Sequence, residues 1–109
     1  MQDTHNLKQN DTSPSLLYAL DPVTTDLTGA TVRFNMRLAV PGGAVKVNRA
    51  AAVVVTPTGT PTVRYDWQSA DADTAGFFEA EFEVTYAGGA VETFPNVGFI
   101  AVTIGDDIA

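Results

Sequence analysis

The sequence predicts an all-β protein, an immunoglobulin-like antiparallel β-sandwich of about seven to nine strands. Several segments alternate apolar and polar side chains with a period of two, which is typical of strands with one buried face. Glycine- and proline-containing turn signals separate these segments at short, regular intervals. The chain of 109 residues is long enough to bury one core. We expect a polar N-terminal arm over residues 1–14, a single sandwich over 15–104 and a short acidic tail over 105–109.

The first part of the chain contains two clear strands and two weaker ones. A short strand fits Asn6–Gln9, with Leu7 as its apolar residue, although this arm could instead order only against a partner. Ser15–Leu20 alternates well. Thr31–Leu38 alternates throughout, and a helix is excluded there because apolar residues recur at every second position. Ala44–Val47 is a short candidate strand.

The central part of the chain is less regular. Arg49–Thr56 is apolar on both faces from Ala50 to Val55, and its three consecutive valines favour a strand that is buried on both sides or lies at an interface. Pro57–Pro61 is predicted to be a loop, and Thr62–Trp67 alternates again. After the long strand that follows, Val91–Phe94 and Phe99–Ile104 are expected to complete the sheets.

The long strand that ends at Tyr86 has the clearest alternation in the chain. Its apolar face is formed by Phe78, Ala80, Phe82, Val84 and Tyr86, and its polar face by Glu79, Glu81, Glu83 and Thr85. We interpret the glutamate row as a solvated outer face, with docking of a basic partner as the alternative. Phe77 lies in phase with the glutamates, so it is expected to be covered by a loop or used at an interface.

The acidic corner before this strand invites a calcium hypothesis. Asp71, Asp73 and Gly76 match positions one, three and six of a calcium-binding loop. Positions five and twelve, which need oxygen ligands, hold Ala75 and Phe82, so we do not predict a metal site. The corner instead resembles a crossing between sheets, anchored by burial of Phe78 alone because neither phenylalanine has a hydroxyl group.

No set of residues predicts catalysis or a cofactor. His5 is the single histidine and lies in the polar arm, and no serine or threonine is accompanied by a base. Phosphate-binding glycine motifs are missing, so we expect a protein that is not an enzyme. Trp67 is predicted to pack in the core, although stacking of Trp67 or Tyr65 on a carbohydrate is a rival hypothesis.

Charge and composition restrict the partners. The net charge of −7 disfavours phosphate backbones, so no nucleic-acid binding is expected. No apolar run is long enough to span a membrane and no secretory signal is evident, so we expect synthesis in a cytoplasm. The absence of cysteine excludes disulfides and thiolate metal sites.

Four segments together resemble a family of phage structural proteins, the N-terminal domain of baseplate upper proteins. They are LKQNDT at Leu7–Thr12, DLTGATVRFNMR at Asp26–Arg37, VRYDWQSADADTAGFFEAEFEV at Val63–Val84, and ETFPNVGFIAVTI at Glu92–Ile104. The resemblance implies a non-enzymatic sandwich module that assembles through protein–protein contacts in a virion. Because those proteins continue into a helical or fibrous region and this chain stops soon after Ile104, an adaptor or small tail component is expected.

The expected function is therefore a virion structural protein of the phage tail or baseplate, made in the host cytoplasm. Its expected partners are other virion proteins and copies of itself in a symmetric assembly. The alternatives are a capsid decoration or neck protein, and a carbohydrate-binding module for host-surface adhesion. We expect the interface to include the apolar residues Phe77, Phe99, Val53, Val55 and Leu7.

Overall fold

The computed structural model describes residues 4–21 and 25–108, and it contains nine strands and no helix within them. The strands are β1 (Thr4–Lys8), β2 (Leu16–Ala19), β3 (Thr31–Leu38), β4 (Val45–Ala51), β5 (Val53–Thr56), β6 (Thr62–Tyr65), β7 (Gly76–Thr85), β8 (Val91–Phe94) and β9 (Ile100–Gly105). Within the described residues no helix has the length and hydrophobicity needed to cross a membrane.

The strands form two sheets, which confirms the predicted all-β sandwich. The larger sheet has the order β1-β9-β7-β3-β4, with β8 beside β7, and the smaller sheet has the order β2-β6-β5. The order β9-β7-β3-β4 matches the strand order G-F-C-C′ of immunoglobulin-like domains, and the order β2-β6-β5 matches their strand order B-E-D. Each pairing is antiparallel except that of β1 with β9, which is parallel.

The core lies between the sheets and is formed by the alternating residues that the sequence indicated. In β7, Phe78, Ala80, Phe82 and Val84 are buried. Opposite them, Val32, Phe34 and Met36 of β3 are buried too, in the eight-residue register that pairs β3 with β7. The ring of Phe34 stacks on Tyr65 with 4.2 Å between ring centroids, which ties the two sheets together.

The segment predicted as one strand over Arg49–Thr56 is divided between the sheets. Strand β4 ends at Ala51 in the larger sheet, and β5 begins two residues later in the smaller sheet. Arg49 has a φ of 51°, and its amide donates to Asn35 Oδ1 at 2.7 Å. The backbone of β4 is therefore irregular just before the chain crosses from the larger to the smaller sheet. Val53 and Val55 are exposed, so the interpretation of a strand buried on both faces is wrong; an interface remains a prediction.

The N-terminal arm contributes the edge strand β1. We expected a strand at Asn6–Gln9, and the structure places it at Thr4–Lys8, with Leu7 opposite Ile104 of β9. The alternative that this segment orders only against a partner is wrong for residues 4–8, because they pair with the protein's own sheet. The first three residues of the arm lie outside the described residues.

Candidate functional site on the outer faces of the two sheets

The acidic corner between β6 and β7 is a structural element. The buried carboxylate of Asp71 accepts hydrogen bonds from the Tyr65 hydroxyl at 2.6 Å and from the Gln68 amide at 2.8 Å. The prediction that the corner is anchored by Phe78 alone is therefore wrong, because Tyr65 supplies the hydroxyl from the preceding strand. A buried tyrosine needs a hydrogen-bond partner, and that rule could have pointed to Asp71 from the sequence.

The second aspartate of the corner is engaged at the surface. Asp73 forms an ion pair with Lys46 and accepts a hydrogen bond from the Thr74 hydroxyl at 2.9 Å. The bonds from Lys46 and Thr74 lower the pKa of the Asp73 carboxyl. Across residues 4–21 and 25–108, no group of three histidine or acidic side chains is arranged to hold a metal ion.

The aromatic residues proposed for carbohydrate stacking are not accessible. Trp67 and Tyr65 are both buried, and the indole packs edge-on against the rings of Phe34 and Tyr65. The carbohydrate hypothesis built on these two side chains is wrong, because a sugar cannot reach their faces. His5 stacks on the indole from the arm side with 5.6 Å between ring centroids.

Arginines cover two of the three glutamates on the outer face of β7. Arg37 Nε lies 2.9 Å from Glu79 Oε1 across the β3–β7 pair, and Arg49 forms an ion pair with Glu83. The side chains of both glutamates are about one-fifth exposed (20% and 21%), so the interpretation of the glutamate row as a solvated outer face needs correction for these two residues. Glu81, between them, makes no hydrogen bond or ion pair with any described residue.

A groove of about 320 Å³ opens on the same face, over β3, β4 and β7 and beside the turn before β9. The apolar side chains of Phe99 and Val45 line it, and both are exposed. Its polar side chains are Asn35, Arg37, Asn48, Glu79 and Glu81. The groove thus combines apolar walls with one unpaired carboxylate.

Phe77 lies on this face too, toward the start of β7. Its side chain is 70% exposed, and Thr103 lies opposite it on β9. Phe77 is therefore not covered by a loop, and the interface alternative stays a prediction. We call the surface formed by Phe77, Glu79, Glu81, Phe99 and Val45 the large-sheet face.

A second apolar surface lies on the outer side of the smaller sheet. Leu17, Val53 and Val55 are exposed there, and the register places Leu17 and Val53 on either side of Arg64. We call these four residues the small-sheet face. Leu17 was not among the residues predicted at an interface, although the adjacent apolar pair Leu16-Leu17 requires one of the two to point outward in a strand.

The residues expected at an interface therefore fall into three groups. Phe77 and Phe99 lie on the large-sheet face, and Val53 and Val55 lie on the small-sheet face. Leu7 differs, because its side chain is 6% exposed and packs in the protein's own core. The side chain of Leu7 is thus not accessible to a partner, whereas the other four are.

We compared the chain with protein-family models, curated proteins and solved structures, and none of the three searches returned a match.

Proposed function

We propose that the protein is a non-enzymatic virion structural protein, an assembly or adaptor module of a phage tail or baseplate. The observation that carries the proposal is the exposure of large apolar side chains on the outer faces of both sheets, with Phe77 on one and Leu17 on the other. The resemblance of four sequence segments to baseplate upper proteins supports the phage assignment.

Apolar clusters on a sheet surface are characteristic of protein–protein contacts. Isolated apolar residues are common at protein surfaces, but grouped ones mark interaction sites. Aromatic residues, phenylalanine among them, are enriched at the centres of interfaces, and a few central residues contribute most of the binding energy. Phe77 and Phe99 therefore mark the expected contact region of the large-sheet face.

The two faces lie on opposite sides of the sandwich, because they belong to different sheets. A subunit with two different contact surfaces can bind one neighbour through each, and such heterologous contacts generate rings or filaments. This geometry supports a role in a symmetric assembly that contains several copies of the protein.

The proposal is tested first by mass spectrometry of purified particles of the phage that encodes the chain. We expect the protein in stoichiometric amounts, and immunogold labelling should place it at the tail or baseplate. Its absence from purified particles would contradict a virion role. Labelling of the capsid or neck would contradict the assignment to the tail.

The large-sheet face is tested with the double variant Phe77→Ser and Phe99→Ser. Loss of the two exposed aromatic side chains should reduce incorporation into particles at least about tenfold. This is the effect expected when truncation of each interface residue costs more than about 1 kcal/mol of binding free energy. The melting temperature should change little, because neither side chain is part of the core.

The control for this experiment is Ile108→Ser, which removes an exposed apolar side chain near the C-terminus, outside both faces. Normal incorporation of the control together with loss of the double variant supports the proposal. Equal incorporation of the unmodified protein, the double variant and the control would contradict a role of the large-sheet face in assembly.

A further inference from the structure

We propose that the groove of the large-sheet face binds an arginine or lysine side chain presented by an extended segment of a basic partner protein. This inference rests on the proposed function, because it names the partner chemistry of one of the two contact faces. Three observations carry it: an unpaired carboxylate, the apolar walls of the groove and the charge of the whole chain.

The unpaired carboxylate belongs to Glu81. Its neighbours on the face of β7, Glu79 and Glu83, are both neutralised by arginines, whereas no described residue pairs with Glu81. Glu81 is partly buried and lines the groove. A carboxylate in such a position interacts more strongly with a cation than one surrounded by water, because the effective dielectric constant is lower.

The walls of the groove fit a long basic side chain. Phe99 and Val45 would contact the aliphatic part of an arginine or lysine, while its charged end reaches Glu81. The exposed ring of Phe99 adds a cation–π contact when the charged group passes over its face. At about 320 Å³ the groove has room for one long side chain and the backbone beside it, but not for a helix or a hairpin of the partner.

The protein's own basic residues are almost all engaged. Four of the six form ion pairs, namely Arg37, Lys46, Arg49 and Arg64, and Lys8 donates to the Asp106 carbonyl. Arg33 has no ion-pair partner among the described residues. It belongs to β3 and lies directly opposite Glu83, on the same side of the sheet as Glu81.

A second copy could therefore supply its Arg33 to Glu81 only by packing face to face. Such a dimer would bring together two chains that each carry a net charge of −7. Like charge on both subunits opposes association, whereas a basic partner is attracted to the same surface. The charge balance thus favours a basic partner over a second copy.

The experiment is a nuclear magnetic resonance titration of the full chain with two peptides. One is acetyl-Val-Thr-Arg-Thr-Val-amide, and the other carries neutral citrulline in place of arginine. We expect saturable shifts of the amide signals of Glu81, Phe99 and Val45 with the arginine peptide. Citrulline should weaken binding about three- to tenfold, because it keeps the shape of the side chain and removes its charge.

The matched variants are Glu81→Gln and Asp107→Asn, each of which removes one negative charge. Glu81→Gln should reduce affinity for the arginine peptide to that for the citrulline peptide, with an unchanged melting temperature. Asp107 is exposed in the C-terminal tail, and its substitution should leave affinity within about twofold of the original.

Three results would overturn the inference. The first is equal affinity for the two peptides, or no saturable shift at the groove. The second is equal weakening by both variants, which would show unspecific attraction to an acidic protein. The third is a concentration-dependent shift of the groove signals without peptide that Arg33→Gln abolishes, since a second copy would then occupy the groove. None of these results depends on whether the protein is found in particles or on the Phe77 and Phe99 variants.

Discussion

The hydrogen bonds of Asp71 are the clearest polar determinant of stability at the scale of single residues. Replacing Asp71 with alanine leaves the Tyr65 hydroxyl and the Gln68 amide without their partner in a buried site. We expect a loss of about 2–3 kcal/mol in the free energy of unfolding, as for buried hydrogen bonds to charged groups. Urea denaturation followed by circular dichroism measures this loss.

The control is Asp73→Ala, which removes an ion pair that is about half exposed at the aspartate (49%). Its cost should be much smaller than that of Asp71→Ala, because exposed ion pairs contribute little. Equal losses for the two variants would contradict a special role for the buried Asp71. The conservative variant Tyr65→Phe should cost less than Asp71→Ala, since Asp71 then keeps its bond from Gln68.

His5 predicts a pH dependence of stability. Its Nε2 lies 3.3 Å from Trp67 Nε1 and 3.1 Å from the Pro14 carbonyl oxygen. Burial lowers the pKa of His5 below its usual value of 6.5, and the hydrogen bond to Pro14 opposes this shift only in part. In a neutral ring Nε2 accepts from the indole in one tautomer and donates to the Pro14 carbonyl in the other, whereas in a protonated ring it can only donate.

The sign of the effect follows from proton binding. Below about pH 6.5 the His5 side chain of the unfolded chain binds a proton that the folded protein does not bind. The free energy of unfolding should therefore decrease as the pH falls from this value to the pKa of His5 in the folded protein. His5→Phe keeps an aromatic ring beside Trp67 and should remove this slope between about pH 7.5 and 5. Equal slopes for the two proteins in urea titrations would contradict the prediction.

The carboxylates act in a different pH range. Bonds from Ser15 and Arg64 lower the pKa of Asp66, and the contacts with Lys46 and Thr74 do the same for Asp73. Their contribution to stability is present above the usual carboxylate value of 3.8 and is lost as the pH falls through the lowered values. The histidine effect can therefore be measured separately from theirs.

At the scale of elements, β1 is part of the folded sheet. We expect Leu7→Ala to reduce the free energy of unfolding by about 2–3 kcal/mol, the lower part of the range for buried leucines, because β1 lies at a sheet edge. The matched control is Leu17→Ala in β2, where the same substitution at a side chain 60% exposed should cost less than about 0.5 kcal/mol. Similar losses for both would contradict the placement of Leu7 in the core.

The crossing from β4 to β5 shows how an element boundary is set by contacts distant in sequence. The bond from the Arg49 amide to Asn35 lies at the register shift between β3 and β4, and Arg49 also pairs with Glu83. One residue, Ala52, then separates the two strands and donates to the Val32 carbonyl at 3.0 Å. The local pattern of alanines and valines carries no information about these three contacts.

At the scale of the whole molecule, one core joins the two sheets. Its buried residues come from both, and the single tryptophan, Trp67, lies within it. We therefore expect one cooperative unfolding transition, with the same midpoint from tryptophan fluorescence and from circular dichroism. Separate midpoints would show that the sheets unfold independently, in contradiction to a shared core.

Apart from the boundary between β4 and β5, the strands and their inward residues were predictable from the sequence, because a period of two and the turn residues are local properties. The same pattern placed Phe77 on the polar face of β7 and Trp67 in the core. The tertiary structure alone decided which charges of the glutamate row are paired, since the partners of Glu79 and Glu83 come from β3 and β4.

Contacts between elements also explain why the carboxylate of Glu81 is unpaired in the groove. Each of Glu79, Glu81 and Glu83 lies between two apolar residues, and nothing local shows which of the three is left without a partner. Arg37 and Arg49 reach the other two from β3 and β4, while Phe99 and Val45 line the space at Glu81. The alternation of the sequence determined that a row of glutamates faces outward; the packing of other strands beside it decided which of them remains available to a partner.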